Sequence, residues 1–230
     1  MTESFFPPPE TADEDGILGF TDTLNTEMLV DAYSHGIFPW PYEEATVLWV
    51  SPPKRSVLFF DRLHVSTRLK RFFRHHPFTL KISERFDDVL EACASVPRRG
   101  QDGTWITQKI KRAYKEFHRL GFAHSFEAYG EDGSLAGGMY GISLGGIFCG
   151  ESMFHFQTGG SKFALLAAVA TLKNCGVSLL DTQVLNPLLE RFGAQEIDRS
   201  EFLKILNGRI GRPLTAEFLR SRATLPEIGT

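Results

Sequence analysis

Apolar positions recur along this chain with two spacings, and the passage from one to the other divides it. Ile106, Ile110, Tyr114 and Phe117 share a face at helical spacing, so Thr107 to Leu120 is predicted as a helix, with Gly121 as its C-cap. Met28, Leu29 and Ala32 mark an earlier helix, Thr26 to His35, ended by Gly36. Leu69, Phe72 and Phe73 form the inward face of a third, which Ser66 caps and Pro77 stops after His75. Phe86 to Ala94 reads as a fourth. Among these helices, Thr46 to Ser51, Ser56 to Phe60 and Phe78 to Ile82 read as short strands, the first two split by Pro52-Pro53. Gly36 to Tyr42 contains Pro39 and Pro41, which forbid a central strand and predict a rigid aromatic loop.

The second half is dominated by strands. Ala123 to Tyr129, Leu135 to Leu144 and Ile147 to Phe154 read as three consecutive antiparallel strands, with turns at Glu131-Asp132-Gly133 and Gly145-Gly146. Ser161 to Asn174 is an Ala/Leu-rich helix, Val177 to Asp181 a buried strand and Ser200 to Leu206 a last helix. The segment after Gly211 is expected to be loosely attached. The fold class is α+β, with a boundary expected near residues 95–105. Residues 1–16 are expected as a mobile tail, 17–100 as a smaller N-terminal α+β domain and 101–230 as a larger C-terminal domain. Three antiparallel strands, a helix and a further strand suggest a GNAT-type, acyltransferase-like fold of the kind that uses acetyl-coenzyme A. Gln157-Thr158-Gly159-Gly160-Ser161-Lys162 begins the pyrophosphate-binding pattern of those enzymes but has the bulky Lys162 in its last place. The fold is then kept without the coenzyme.

Composition narrows the class. The chain has 230 residues, is 42% hydrophobic and 23% charged, and carries a net charge of -3, so any nucleic-acid contact needs a local patch. No stretch reaches the roughly 20 apolar residues of a membrane span. Met1 to Gly16 lacks the basic and apolar regions of a signal peptide. Cys93, Cys149 and Cys175 are far apart and without a CxxC, which fits free thiols in a reducing cytoplasm better than a disulfide framework or a zinc site. No Walker loop, HExxH, GxSxG or GxGxxG is present, and no metal site is expected.

Chemistry concentrates where strands end. Asp181 and Gln183 are two apart, so an extended backbone puts them on one face. There Asp181 could hold or deprotonate a partner while Gln183 offers a carbonyl to an amine; the plainer alternative is a turn-forming Asp and a structural Gln. Glu151 is open in the same way, as a catalytic or cation-binding acid or as an ion pair. Arg68, Arg71 and Arg74 on one helix, and Lys111 and Lys115 on another, form either solvated faces or a phosphate-binding patch.

Short motifs carry the reading further. Gly36-Ile37-Phe38-Pro39-Trp40, Leu48-Trp49-Val50-Ser51-Pro52, Gly103-Thr104-Trp105-Ile106-Thr107, Ala123-His124-Ser125-Phe126-Glu127, Gly137-Gly138-Met139-Tyr140-Gly141, Phe148-Cys149-Gly150-Glu151-Ser152-Met153-Phe154, Ser161-Lys162 and Leu180-Asp181-Thr182-Gln183 follow one another in order. Together they resemble the leucyl/phenylalanyl-tRNA–protein transferase family, from about Leu24 to Leu206. Val50 and Thr182 depart from the family's more usual Trp and Cys, and Leu188-Leu189 from a common His-Leu pair.

The resemblance implies an enzyme that moves Leu or Phe, less often Met, from aminoacyl-tRNA to the N-terminal Arg or Lys of a protein, marking it for N-degron degradation. The donor ester is already activated, so no cofactor is expected. Asp181 and Gln183 would form the catalytic pair and Glu151 would position the acceptor. Trp40 and Trp105 are candidates to stack the terminal adenosine, supported by Tyr33 and Tyr114, with core packing as the alternative. Met139, Phe148, Leu165, Ala168 and Leu180 are expected to line the amino-acid pocket. Two rivals to this reading are a coenzyme A-dependent N-acyltransferase and a non-catalytic single-stranded RNA-binding module.

Overall fold

The computed structural model describes residues 4–42, 46–96, 104–144, 146–208 and 214–226. A small three-stranded antiparallel sheet is built from β1 (Ile17–Thr21), β2 (Phe38–Pro41) and β3 (Val47–Val50), in the order β1-β3-β2. The large sheet has seven strands. They are β4 (Lys54–Phe59), β5 (Thr79–Ile82), β6 (Ala123–Tyr129), β7 (Leu135–Leu144), β8 (Ile147–His155), β9 (Leu179–Gln183) and β10 (Gln195–Asp198), in the order β10-β4-β9-β8-β7-β6-β5. Every neighbouring pair is antiparallel except β8 and β9. The fold is therefore mixed α+β with a mixed sheet.

Eight helices complete the described fold: α1 (Thr26–Ser34), α2 (Thr67–His75), α3 (Phe86–Ser95), α4 (Gln108–Arg119), α5 (Gly160–Asn174), α6 (Pro187–Arg191), α7 (Arg199–Asn207) and α8 (Ala216–Ser221). Strand alternation sorts them into two layers. Val57, Tyr140, Ile142, Ile147, Cys149 and Leu179 face a core shared with α1, α3, α4 and α7. Their neighbours Leu58, Met139, Phe148 and Leu180 face a second core with α2, α5, α6 and α8. Most of α5 is buried, because its Ala and Leu side chains lie against the middle of the sheet. Each large apolar side chain so buried contributes about 1.5–3 kcal/mol.

Several expectations are corrected. The aromatic loop contains a strand, β2, but at an edge of the small sheet, where Pro39 and Pro41 cost least. The segment after Gly211 does not hang free where it is described: Leu219 of α8 is fully buried, and Arg220 donates to the carbonyls of Ile82 and Ser83. Near the start of the chain, Phe6 lies against Trp49 and the Phe5 N–H donates to Asp31. The boundary expected near residues 95–105 and most of the loop before Trp105 lie outside the described residues. The large sheet nevertheless spans that boundary, since β4 and β5 pair with β9 and β6.

Candidate functional site

The site forms where the parallel pair opens. β8 and β9 pair only at Phe148 with Leu180 and at Cys149 with Asp181, after which the two strands run on unpaired with each other. Each also carries a bulge. On β8, Gly150 and Ser152 oppose the consecutive residues Gly141 and Tyr140 of β7, which leaves Glu151 as the extra residue. On β9, Asp181 and Gln183 oppose Val57 and Ser56 of β4, leaving Thr182 extra. Bulges re-aim side chains and often sit beside active sites. Gly141 permits the first: a Cβ there would lie 2.3 Å from the Cys149 carbonyl oxygen and 2.3 Å from the Phe148 ring.

Glu151 and Gln183 meet in the opening. Gln183 Nε2 donates to Glu151 Oε1 at 3.0 Å, and the Tyr114 hydroxyl donates to Glu151 Oε2 at 3.2 Å. The Tyr33 hydroxyl stands 2.6 Å from that of Tyr114, where either can donate, and both lie beside the Glu151 carboxyl. Burial, then the nearby Glu151, holds both phenols well above the ordinary range, so they remain donors. Burial pushes the Glu151 carboxyl up to about 7, against the hydrogen bonds of Tyr33 and Tyr114 and the charge of Arg55, while Asp181 adds to the rise. A carboxyl so placed can exchange a proton near neutral pH. Gln183 has φ +55, an uncommon left-handed conformation for a residue other than Gly, and because Nε2 is the atom bound to Glu151, its Oε1 keeps its capacity as an acceptor.

Asp181 is engaged differently. It is fully buried, and Arg55 Nε and Nη2 bind its two oxygens at 2.8 and 2.7 Å. Cys149 Sγ donates to Oδ2 and the Gln183 backbone N–H to Oδ1. Burial alone would pull the Arg55 guanidinium down, but Asp181 more than offsets it. Arg55 also donates to the Gly36 carbonyl and lies 4.6 Å from the ring centres of both Phe38 and Phe202. Sequence reading missed Arg55. Its signal was position: it precedes buried Val57 by two in a strand, so it faces the same core and requires an acid there.

A cavity of about 810 Å³ opens beside Glu151 and Gln183. Of the residues expected at the amino-acid pocket, Met139, Leu165 and Leu180 line this cavity, joined by Cys93, Val96 and Met153. Phe148 and Ala168 do not line it; both are fully buried in the α5 core, with Phe148 edge-on to Phe126. Tyr33 and Tyr114 are also core residues, and what they bring to the site is a hydrogen-bond chain and no open ring face. Trp40 is 46% exposed on β2, while Trp105 is half-buried at the start of the α4 region. The two basic helices differ. Arg68, Arg71 and Arg74 of α2 are exposed, whereas Lys111 pairs with Glu91, and Lys115 lies 3.3 Å from Glu91 and 3.4 Å from Asp87. No cluster able to hold a metal ion occurs among the described residues.

Residues 57–207 match a family described as leucyl/phenylalanyl-tRNA protein transferase, and residues 22–53 match its N-terminal domain. The chain is 48% identical to a leucyl/phenylalanyl-tRNA–protein transferase of Anaeromyxobacter sp. (strain Fw109-5), over 96% of this chain and 92% of that one. It is 46% identical to the protein of that name from Xanthomonas axonopodis pv. citri, over 90% of this chain and 84% of that one. For the Shewanella baltica (strain OS195) protein, also so named, identity is 44% over 91% and 88%. Among solved structures, L-PGS from Bacillus licheniformis is similar at 12% identity and a TM-score of 0.40, covering 73% of this chain and 54% of that one.

Proposed function

The chain belongs to the leucyl/phenylalanyl-tRNA protein transferase family, and on that premise we propose the reaction and the roles of its residues. The enzyme moves Leu or Phe, less often Met, from aminoacyl-tRNA to the N-terminal Arg or Lys of a protein, which marks that protein for N-degron degradation. A donor of this kind puts the reaction in the cytoplasm; no described helix is long and apolar enough to cross a membrane.

The observation that carries the mechanism is the contact between Gln183 and Glu151 at the open end of β8 and β9. The acceptor's amine arrives mostly as ammonium near neutral pH and must lose a proton before it attacks. Gln183 Oε1 receives one amine hydrogen and fixes the lone pair toward the ester carbonyl. Glu151 takes the proton. The new C–N bond forms as the ester C–O bond to the ribose breaks, and the ribose oxygen leaves with the second proton of the attacking nitrogen. Asp181 serves as the orienting partner: its oxygens are already filled by Arg55, Cys149 and the Gln183 N–H, which hold the turn presenting Gln183.

Met139, Leu165, Leu180 and Met153 give the aminoacyl side chain an apolar wall. Trp40 and Trp105 offer aromatic surface for the terminal adenine. The parallel pair flanking α5 supports a GNAT-type, acyltransferase-like arrangement in which the reacting ester sits at the splayed strands. The test is direct: supply radiolabelled Phe-tRNA and a peptide beginning with Arg. Transfer of label to the peptide is expected. Product that depends on an acyl-coenzyme A, or tRNA binding without product, would overturn the reading.

A further inference from the structure

Lys162 is the one Lys or Arg lining the cavity, among the described residues, and Glu151 is the one acid. Glu151 is occupied by Gln183 and Tyr114. Among the described residues, Lys162 has no carboxylate partner, in contrast to Lys54, Lys81, Lys111 and Lys115. It is half-buried at the cavity wall. The surroundings favour an anion. Lys162 stands in the first turn of the 15-residue α5, whose N-cap Gly159, at φ +93, provides no side-chain cap. The positive end of the helix and the ammonium therefore act in the same direction.

The approach to this position is also basic. Phe72 of α2 packs on Gly159, so closely that a Cβ there would lie 2.4 Å from its ring. That contact sets α2, with exposed Arg68, Arg71 and Arg74, beside the start of α5.

We propose that Lys162 holds the phosphodiester joining the donor's terminal adenosine to the preceding nucleotide. The proposal rests on the reading that the cavity takes an aminoacyl ester of adenosine. A compact ammonium suits a single phosphate oxygen approached from one side, as Lys binds phosphate as a point charge. The contact registers the 3′ end of the donor, so that the ester carbonyl stops at Gln183 and Glu151.

Two minimal donors bracket this contact, and the Lys162 variants isolate it: phenylalanyl-adenosine, which has no phosphodiester, and phenylalanyl-CpA, which adds one together with a cytidine. Wild type is expected to prefer the dinucleotide by about 10-fold in KM, the scale of one hydrogen bond to a charged group. Lys162→Gln should lose that preference and Lys162→Arg should keep most of it. The ratio is internal to each protein, so partial misfolding does not change it. A preference retained in Lys162→Gln would overturn the proposal, as would a wild type that uses both donors equally. Failure of wild type to transfer from intact Phe-tRNA would overturn the transfer reading itself, and it is seen without any variant.

Discussion

Two carboxylates stand near the open end of β8 and β9, Asp181 toward β4 and Glu151 on the cavity wall. Around Asp181 every oxygen has a partner, and the charge is matched by a guanidinium held between two phenyl rings. Around Glu151 the partners are neutral, two tyrosines and an amide, and the carboxyl rises to about 7 because burial is not offset by a paired cation. The same side-chain chemistry thus gives a fixed anchor in one place and, in the proposed reaction, a proton acceptor in the other. Environment, and not residue type, assigns the roles.

The largest expected effect breaks the anchor. Asp181→Ala leaves Arg55 buried and uncompensated, and should cost about 3–5 kcal/mol of stability, read by thermal or urea unfolding. A loss of less than about 1 kcal/mol would mean that water reaches Arg55 and that the anchor is not closed. Next is Gln183→Ala, which should lower kcat about 10²-fold or more while leaving aminoacyl-tRNA binding nearly intact. Wild-type turnover in that variant would remove Gln183 from the mechanism.

Glu151→Gln sharpens the contrast through stability as well as rate. A carboxyl raised to about 7 in the folded protein, from an ordinary value near 4.5, keeps its proton where the unfolded chain has lost it. Wild type therefore loses stability as pH rises through that window, and the amide does not. Relative to wild type, the variant should gain on the order of 1–3 kcal/mol between pH 4.5 and 7. A difference in melting temperature that stays constant across this range would argue against the raised carboxyl.

Smaller effects are expected on the surface. Charge reversal at Arg71 and Arg74 should weaken aminoacyl-tRNA binding by about 10-fold and flatten its salt dependence. The same change at Lys111 and Lys115 should matter less, because Glu91 and Asp87 already neutralise them. Equal effects would show that these ion pairs open for the ligand. Ala168→Phe, within the α5 core, should lower the melting temperature and leave the Leu-to-Phe preference unchanged. A shifted preference would return Ala168 to the pocket.

What the chain made legible depended on distance. β6 and β7 begin and end where alternation and turns put them, because hairpin strands are set by neighbours in sequence. β1 and β10 were not foreseen; they are short and pair with strands far along the chain. The motifs singled out Glu151 and Gln183 as candidates, but the bulges that turn them toward each other arise from registers with β7 and β4 that no local pattern encodes. The pairing of Lys111 and Lys115 of α4 was hidden for the same reason: Asp87 and Glu91 oppose them from another helix.

The rate of transfer as a function of pH, in wild type and in Glu151→Gln, separates the two carboxylates most directly. With an Arg-peptide acceptor and Phe-tRNA at fixed concentrations, wild type should rise through a limb near pH 7 set by Glu151. In the variant that limb should vanish and the rate should fall by about 10²-fold. What remains should follow only the acceptor's amine, with its ordinary pKa near 8. A variant that keeps the limb near 7 at an undiminished rate would contradict the assignment, and would mean that the proton leaves by a route that does not pass through Glu151.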